Sequence, residues 1–379
     1  MYIIDNKFKK GEIAFSNYRS LTKLLFIGFI SVINASCSSD QNFQGHLESF
    51  VDDAEEIDIS YNTNEVDDVY SPYVDVLDSF AIFYSTKENK AFGTVQLNMH
   101  SRNKFFCPLG HGHNEYTALS PITQVYEDMG DKKTLLFAPN ESKLLIWNIS
   151  ESIRKNTTIY EHVVPYSWKG DVKVAFTNQV IIGKDSVLLY IPSLRINNQL
   201  TKPKYQIRTL ESNRLIRDIC IFDHPIDNKT SKVLPENYFG AFFSLKPDKS
   251  MFVEAMTWLP QINIVDIRNG KISGHRMAGA QGEDVFLTTM EDVLCCYTRV
   301  VSDNDYIYGL WSGTPLKELR SSTGSKLIHV FDWKGKLTKK IRLKEPINEL
   351  SLDIQTGNLY GWNIERQKLY KYDLSSLRR

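Results

Sequence analysis

Along most of the chain apolar residues come in runs of four to seven, each cut short by Gly, Asn, Asp or Pro before a helical period can build. The clearest runs are 80–84 (FAIFY), 134–137 (TLLF), 144–149 (LLIWNI), 179–182 (QVII), 186–191 (SVLLYI), 262–267 (INIVDI), 328–333 (IHVFDW) and 369–374 (LYKYDL). β-Branched and aromatic residues dominate them, as expected of strands that pack on both sides. From about Val69 onward the pattern therefore predicts an all-β body. Hairpin signals accompany the runs: Gly270, Gly335 and Gly357 each follow Asn, Lys or Thr in a short polar turn, where positive φ is needed.

Four of the segments share one template, apolar-x-apolar, an aromatic or aliphatic residue, Asn or Asp, then an apolar residue. It is centred on Asn148, Asp266, Asp332 and Asp373, at separations of 118, 66 and 41 residues. A propeller blade takes about 40–45 residues, so 41 is one blade, 118 close to three, and 66 one blade with an insertion. The polar stretch 313–326 is the candidate insertion. The clearest blade is expected at 328–333, 337–343, 347–353 and 358–362. Radial packing of four-stranded sheets buries their faces and leaves only short edges, and residues 69–379 supply a six-bladed β-propeller, with seven blades as the alternative. Closure is expected to join 369–374 either to the alternating run 57–61 (IDISY) or to the segment near Phe80.

The N-terminus does not fit this body. Arg19 and Lys23 precede a largely apolar run of ten residues, 24–33 (LLFIGFISVI), followed by Asn34, Ala35, Ser36 and Cys37. Ten residues are too few to cross a bilayer and suit the central region of a signal peptide. The arrangement resembles a bacterial lipoprotein signal over residues 1–36, with Asn34 where Leu, Val or Ile is usual and Cys37 as the lipidated first residue of the mature chain. Residues 1–18 carry Asp5 and Glu12 ahead of the basic pair, as a translation start placed too early would.

The chain has 45 basic and 45 acidic residues, but this neutrality hides an asymmetry. Residues 38–86 contain 12 acidic side chains and no Lys or Arg, which leaves 87–379 with a net charge of +9. Residues 37–68 are read as an acidic tether with one strand-like run. The basic residues of the body are scattered, which argues against nucleic acid as a partner.

Two windows resemble the TolB-like six-bladed β-propeller lipoproteins of Bacteroides-type bacteria. One is 325–374, with IHVFDWKGKLTKKIRL followed by LDIQTGNLYGWNIERQKLYKYDL. The other runs from Pro108 through Gly110, His111, Gly112, His113, Asn114 and Glu115 to Tyr116 and Pro121, similar to the family's Gly-x-Gly-Pro-x-Glu loop, with His113 in place of proline. The resemblance implies a six-bladed ring, secretion and an acylated Cys37 anchored to the cell envelope, in the first place the outer membrane. It implies no particular activity, since this fold hosts many.

Residues able to do chemistry are sparse. His111, His113 and Glu115 could share one face of a strand as metal ligands, but the interleaved Gly110, Gly112 and Asn114 favour a loop fastening two blades, so no metal is assigned. Cys295 and Cys296 read as buried neighbours on opposite strand faces; with Cys107 and Cys220 they make no disulfide framework. His100, His162, His224, His275 and His329 stand singly, and Asp303 with Asp305 reads as a turn. Trp258 and Trp311, close to loop signals, are the candidates for stacking on a ligand. Nucleophile, Walker and dinucleotide motifs are absent, so no catalytic residue and no cofactor is assigned. The expected function is an envelope lipoprotein whose propeller binds a protein, glycan or other extracellular ligand. The alternative is a propeller hydrolase or lyase acting on a lactone, glycan or peptide.

Overall fold

The structure, a computed structural model, describes residues 42–378 apart from 67–68, 70, 72, 86, 98–102, 167–177, 197–198, 224–236 and 288–292. Cys37, His100 and His224 lie outside the described residues. Residues 42–379 form one compact unit, a ring of six antiparallel blades.

Blade I comprises Val74–Leu77, Phe80–Tyr84, Lys90–Gln96 and Lys104–Pro108, and blade II comprises Val125–Asp128, Asp131–Ala138, Lys143–Asn148 and Tyr160–Pro165. Asn178–Gly183, Ser186–Ile191, Lys204–Thr209 and Leu215–Ile219 make blade III, which also carries a small hairpin, Arg195–Ile196 with Gln199–Leu200. Blade IV is Ala241–Leu245, Met251–Met256, Gln261–Asp266 and Ile272–Met277; blade V is Leu294–Ser302, Tyr306–Pro315, Ser325–Asp332 and Leu337–Ile347. Blade VI takes Glu349–Asp353, Asn358–Asn363 and Lys368–Tyr372 from the C-terminus. Its fourth strand comes from the other end of the chain.

That fourth strand corrects the reading of 37–68 as a tether. From Asn42 the leader is bound to the ring: Gln44 N–H donates to Ile221 O at 2.8 Å and Asp223 N–H to Asn42 O at 2.7 Å. Strand β1 (His46–Phe50) then adds in parallel to the outer strand of blade IV, and β2 (Glu56–Asp58) in parallel to the outer strand of blade V. Strand β3 (Tyr61–Glu65) pairs antiparallel with Lys368–Tyr372 and closes the ring. Of the expected run 57–61, Ile57 lies on blade V, but Ser60 and Tyr61 meet the closing strand, Asp373 N–H donating to Ser60 O at 3.1 Å and Tyr61 pairing with Tyr372. Phe80 begins the second strand of blade I and takes no part in closure.

The charge asymmetry explains the path. Outer strand Leu337–Ile347 presents Lys339, Lys340 and Arg342, which pair with Glu55, Asp52 and Glu56 of the leader, the Lys340–Asp52 contact being 3.2 Å. Burial fixes the register: Phe43, Phe50 and Ile59 point inward and are at most 9% exposed.

The four template residues sit at one structural position, the end of the third strand of blades II, IV, V and VI. Each caps the following turn: Asp266 accepts from Arg268 N–H at 2.8 Å, Asp332 from Lys334 N–H at 2.9 Å, Asp373 from Ser375 N–H at 2.9 Å and Asn148 from Glu151 N–H at 2.8 Å. Gly270, Gly335 and Gly357 do have positive φ, at 76°, 82° and 66°. One expected unit is corrected. Residues 328–362 straddle blades V and VI, because the insertion at 313–326 is a bend between the second and third strands of blade V.

Candidate functional site

The first strand of every blade lines the central channel, and chain direction divides it in two. Residues at the starts of these strands, among them Val74, Ala241 and Glu349, border a front chamber of about 430 Å³; residues toward their ends border a rear chamber of about 310 Å³. The front chamber falls in the range of about 300–1,000 Å³ usual for small-molecule sites. Asp75, Thr123, Phe243, Val300 and Val301 border both chambers and form a waist. Beside it, the Gln124 side chain reaches from blade II to blade IV: its amide donates to Leu245 O at 3.3 Å and accepts from Leu245 N–H at 3.2 Å. It replaces a strand partner and ties two non-adjacent blades together.

Among the described residues, three charged ones line the front chamber: Asp75 of blade I, Arg299 of blade V and Glu349 of blade VI. Arg299 donates from Nε and Nη2 to the two carboxylate oxygens of the buried Glu349, a forked pair of the strongest geometry. Tyr73 and Phe242 lie 4.8 Å and 5.0 Å from the guanidinium carbon, so its charge is held by rings as well as by a carboxylate. Burial pushes Glu349 up to about 7 against the pull of Arg299. Asp75 is pushed up to about 6, again by burial, which outweighs Arg299 and the hydroxyl of Ser351. Arg299 itself lies above its ordinary value: burial opposes the shift, and the Glu349 carboxylate overcomes it. Two carboxylates therefore share the charge of one arginine.

The residues singled out from sequence lie elsewhere. Gly110, Gly112 and Glu115 join blades I and II: the Glu115 carboxylate accepts from Gly112 N–H at 2.9 Å, and a Cβ at Gly110 would lie 2.1 Å from its Oε2. The loop is folded around its own carboxylate, with His111 and His113 exposed. Trp258 and Trp311, expected to stack on a ligand, border neither chamber. Trp258 packs against the core shared by blades III and IV, and Trp311 stacks on His329 at 4.9 Å within blade V. Cys107, Cys220, Cys295 and Cys296 are free thiols. Asp303 makes the expected turn, accepting from Asp305 N–H at 2.8 Å and Tyr306 N–H at 2.6 Å. Asp131, Glu151 and Glu161 come close enough to share an ion, but Arg154, Lys155 and Lys133 already pair with them.

The channel residues had one signal in the sequence. Each is a charge inside an apolar run: Asp75 in YVDVL, Arg299 in CCYTRVV and Glu349 in INELSL. A charge there must find a partner once the strand is buried, and only the ring brings the three together.

Residues 198–355 match the model of the TolB-like 6-blade propeller-like family. No curated protein matches the sequence. Among solved structures, a DUF4221-family member from Bacteroides vulgatus is 11% identical with a TM-score of 0.54, covering 83% of this chain and 96% of its own. A putative exported protein from Bacteroides fragilis is 12% identical with a TM-score of 0.45, covering 83% and 88%. Regucalcin, a calcium-binding protein from Agrobacterium tumefaciens, is 10% identical with a TM-score of 0.45, covering 84% and 95%. The ring of six blades makes the chain a six-bladed β-propeller, and its residues 198–355 are similar to the TolB-like 6-blade propeller-like family.

Proposed function

We propose that the protein is a lipid-anchored envelope binding module that takes its ligand in the front chamber of the channel. The observation that carries this reading is the chamber itself. All six blades supply its wall, about 430 Å³ is open, and aromatic surface surrounds one charged cluster. Neither chamber has a histidine in its described lining. The signal-like run ending at Cys37 supports export and anchoring, in the first place at the outer membrane. Because the leader joins the ring at Asn42, four residues, 38–41, remain between the acylated cysteine and the propeller. Such an anchor holds the ring close to the bilayer instead of on a long arm.

The test has two arms. Mass spectrometry of the membrane-extracted protein is expected to find a diacylglyceryl-modified Cys37 at the N-terminus; an unmodified Cys37 refutes the anchor. A thermal-shift screen of small metabolites, glycans and short peptides is expected to give hits that Ala241→Trp, which fills the front chamber, abolishes. Hits indifferent to that substitution refute the channel as the binding site.

A second reading, a hydrolase or lyase, is favoured by one observation: two carboxyl groups raised by burial toward neutrality, Asp75 and Glu349, line one chamber of the channel. Turnover of a glycan, lactone or peptide that both Asp75→Asn and Glu349→Gln abolish would establish it.

A further inference from the structure

The charge balance of the front chamber narrows the chemistry of its ligand, an inference that rests on the channel being the binding site. Arg299 is committed. Its Nε and Nη2 face Glu349, and the Tyr73 and Phe242 rings lie within 5.0 Å of its guanidinium carbon. Asp75 is not. Among the described residues it has no base within ion-pair distance, and its hydrogen-bonding neighbour is the Ser351 hydroxyl, which is fixed in turn by Val76 N–H at 2.8 Å. The lining thus holds one carboxylate in excess, at the waist where the channel narrows, with Phe242, Phe243, Leu119 and Leu350 on the approach to it.

We propose that the front chamber binds a small organic amine, its ammonium on the Asp75 carboxylate and its apolar body against the aromatic wall. An amine supplies the charge that the chamber lacks, whereas an anion would have to displace Glu349 from Arg299. Burying an uncompensated carboxylate is costly, and a ligand cation removes that cost. Burial raises Asp75 in spite of Arg299, and an ammonium on its carboxylate would oppose that shift. The groups facing Asp75 are Arg299 and Glu349 in front, and Lys249, Asp353 and the Glu127–Lys132 pair behind.

Binding then requires the ionised carboxylate, so it is linked to pH. Asp75 titrates at about 6 and Glu349, which sets the charge of the same cluster, at about 7, so affinity falls as pH drops through this range. The fall is by up to tenfold per pH unit below about 6, where the ligand must expel the Asp75 proton, and affinity is flat only well above 7.

The experiment is calorimetric titration of the whole protein with 2-phenylethylamine and with 3-phenylpropionate, its anionic counterpart, from pH 5 to 8. The amine is expected to bind at least tenfold more tightly than the acid at pH 7.5, to weaken as pH falls through 6 with proton release seen in buffers of different ionisation enthalpy, and to lose at least tenfold in Asp75→Asn. Equal or reversed preference overturns the inference, as does amine affinity that is flat with pH or unchanged in Asp75→Asn. Should Asp75→Asn not fold, the pH series on the unmodified protein decides alone. Tighter binding of the acid, or no binding of either probe beside screen hits that Ala241→Trp abolishes, overturns the amine while the channel reading stands. Loss of the channel reading itself shows instead in screen hits that ignore Ala241→Trp.

Discussion

Phe50 offers a direct test of whether the leader belongs to the fold. It ends β1 and is 7% exposed, with its ring edge-on to Phe331 at 5.2 Å and 81°. It belongs to the cluster that holds Tyr297, Ile307 and Leu337, and its carbonyl accepts from Ala278 N–H at 2.7 Å. Phe50→Ala removes a whole aromatic side chain from this packed site. Such truncations cost about 3–5 kcal/mol, because the lost burial is compounded by the cavity left behind. The neighbouring Val51 is 61% exposed, so Val51→Ala should stay within about 0.5 kcal/mol of the parent. A solvated tether predicts no difference between the two. Equilibrium urea unfolding, followed by tryptophan fluorescence and far-UV circular dichroism, gives the comparison from the shift in midpoint at a common slope. Salt supplies a second check. The exposed pairs Glu55–Lys339 and Glu56–Arg342 contribute at most about 1 kcal/mol each, so 1 M NaCl should leave the cost of Phe50→Ala nearly unchanged. A cost no larger than that of Val51→Ala would refute the laced-leader account.

Glu254, buried between blades III and IV, accepts from Tyr205 O–H at 2.7 Å and is pushed by burial from 4.5 up to about 7. The folded state then binds the proton more tightly than the unfolded chain, so this group's stabilisation is complete below about 4.5 and is lost as pH rises to about 7, a change of up to ~3 kcal/mol. Glu254→Gln should flatten that slope and be relatively more stable at pH 8 than at pH 5, as read from urea midpoints at the two values. Arg299→Met should cost about 3–5 kcal/mol by leaving Glu349 buried without its partner, and Arg299→Met with Glu349→Leu should recover most of it in the same assay. Gly335 has φ of 82° and a Cβ there would lie 2.1 Å from the His275 ring, whereas Gly130, with φ of 83°, has nothing within 4 Å. Gly335→Ala should therefore lower stability by about 2 kcal/mol or more, and Gly130→Ala by about 1 kcal/mol, both measured by thermal unfolding.

What the sequence made legible was local chemistry repeated along the chain. Asn148, Asp266, Asp332 and Asp373 announce four blades because each does the same job, accepting backbone N–H groups at the end of a third strand. Blades I and III lack that residue at the corresponding place, which is why the repeat could be read only from its spacing. The docking of the leader is hidden for a different reason. Ten acidic residues without a base look like a solvated chain when composition alone is weighed, and the basic strand that neutralises several of them lies almost 300 residues away, Lys339 meeting Glu55 at a separation of 284. Its apolar anchors, Phe43, Phe50 and Ile59, are too widely spaced to announce a strand, since parallel addition to an outer edge buries only occasional side chains.

The channel site was hidden by the same distance. Asp75, Arg299 and Glu349 come from blades I, V and VI, and no window of sequence contains two of them. Ring closure puts Asp75 and Glu349 on adjacent first strands, and that closure depends on β3 pairing with Lys368–Tyr372. The acidic leader and the charged chamber are therefore linked physically: the strand that ends the leader closes the ring, and the ring brings the second carboxylate to the arginine. Weakening the leader should consequently loosen the channel before it unfolds the blades. A leader variant such as Phe50→Ala would lose amine affinity at temperatures where its circular dichroism is still native, while an equally destabilising truncation within blade III, remote from this seam, would not.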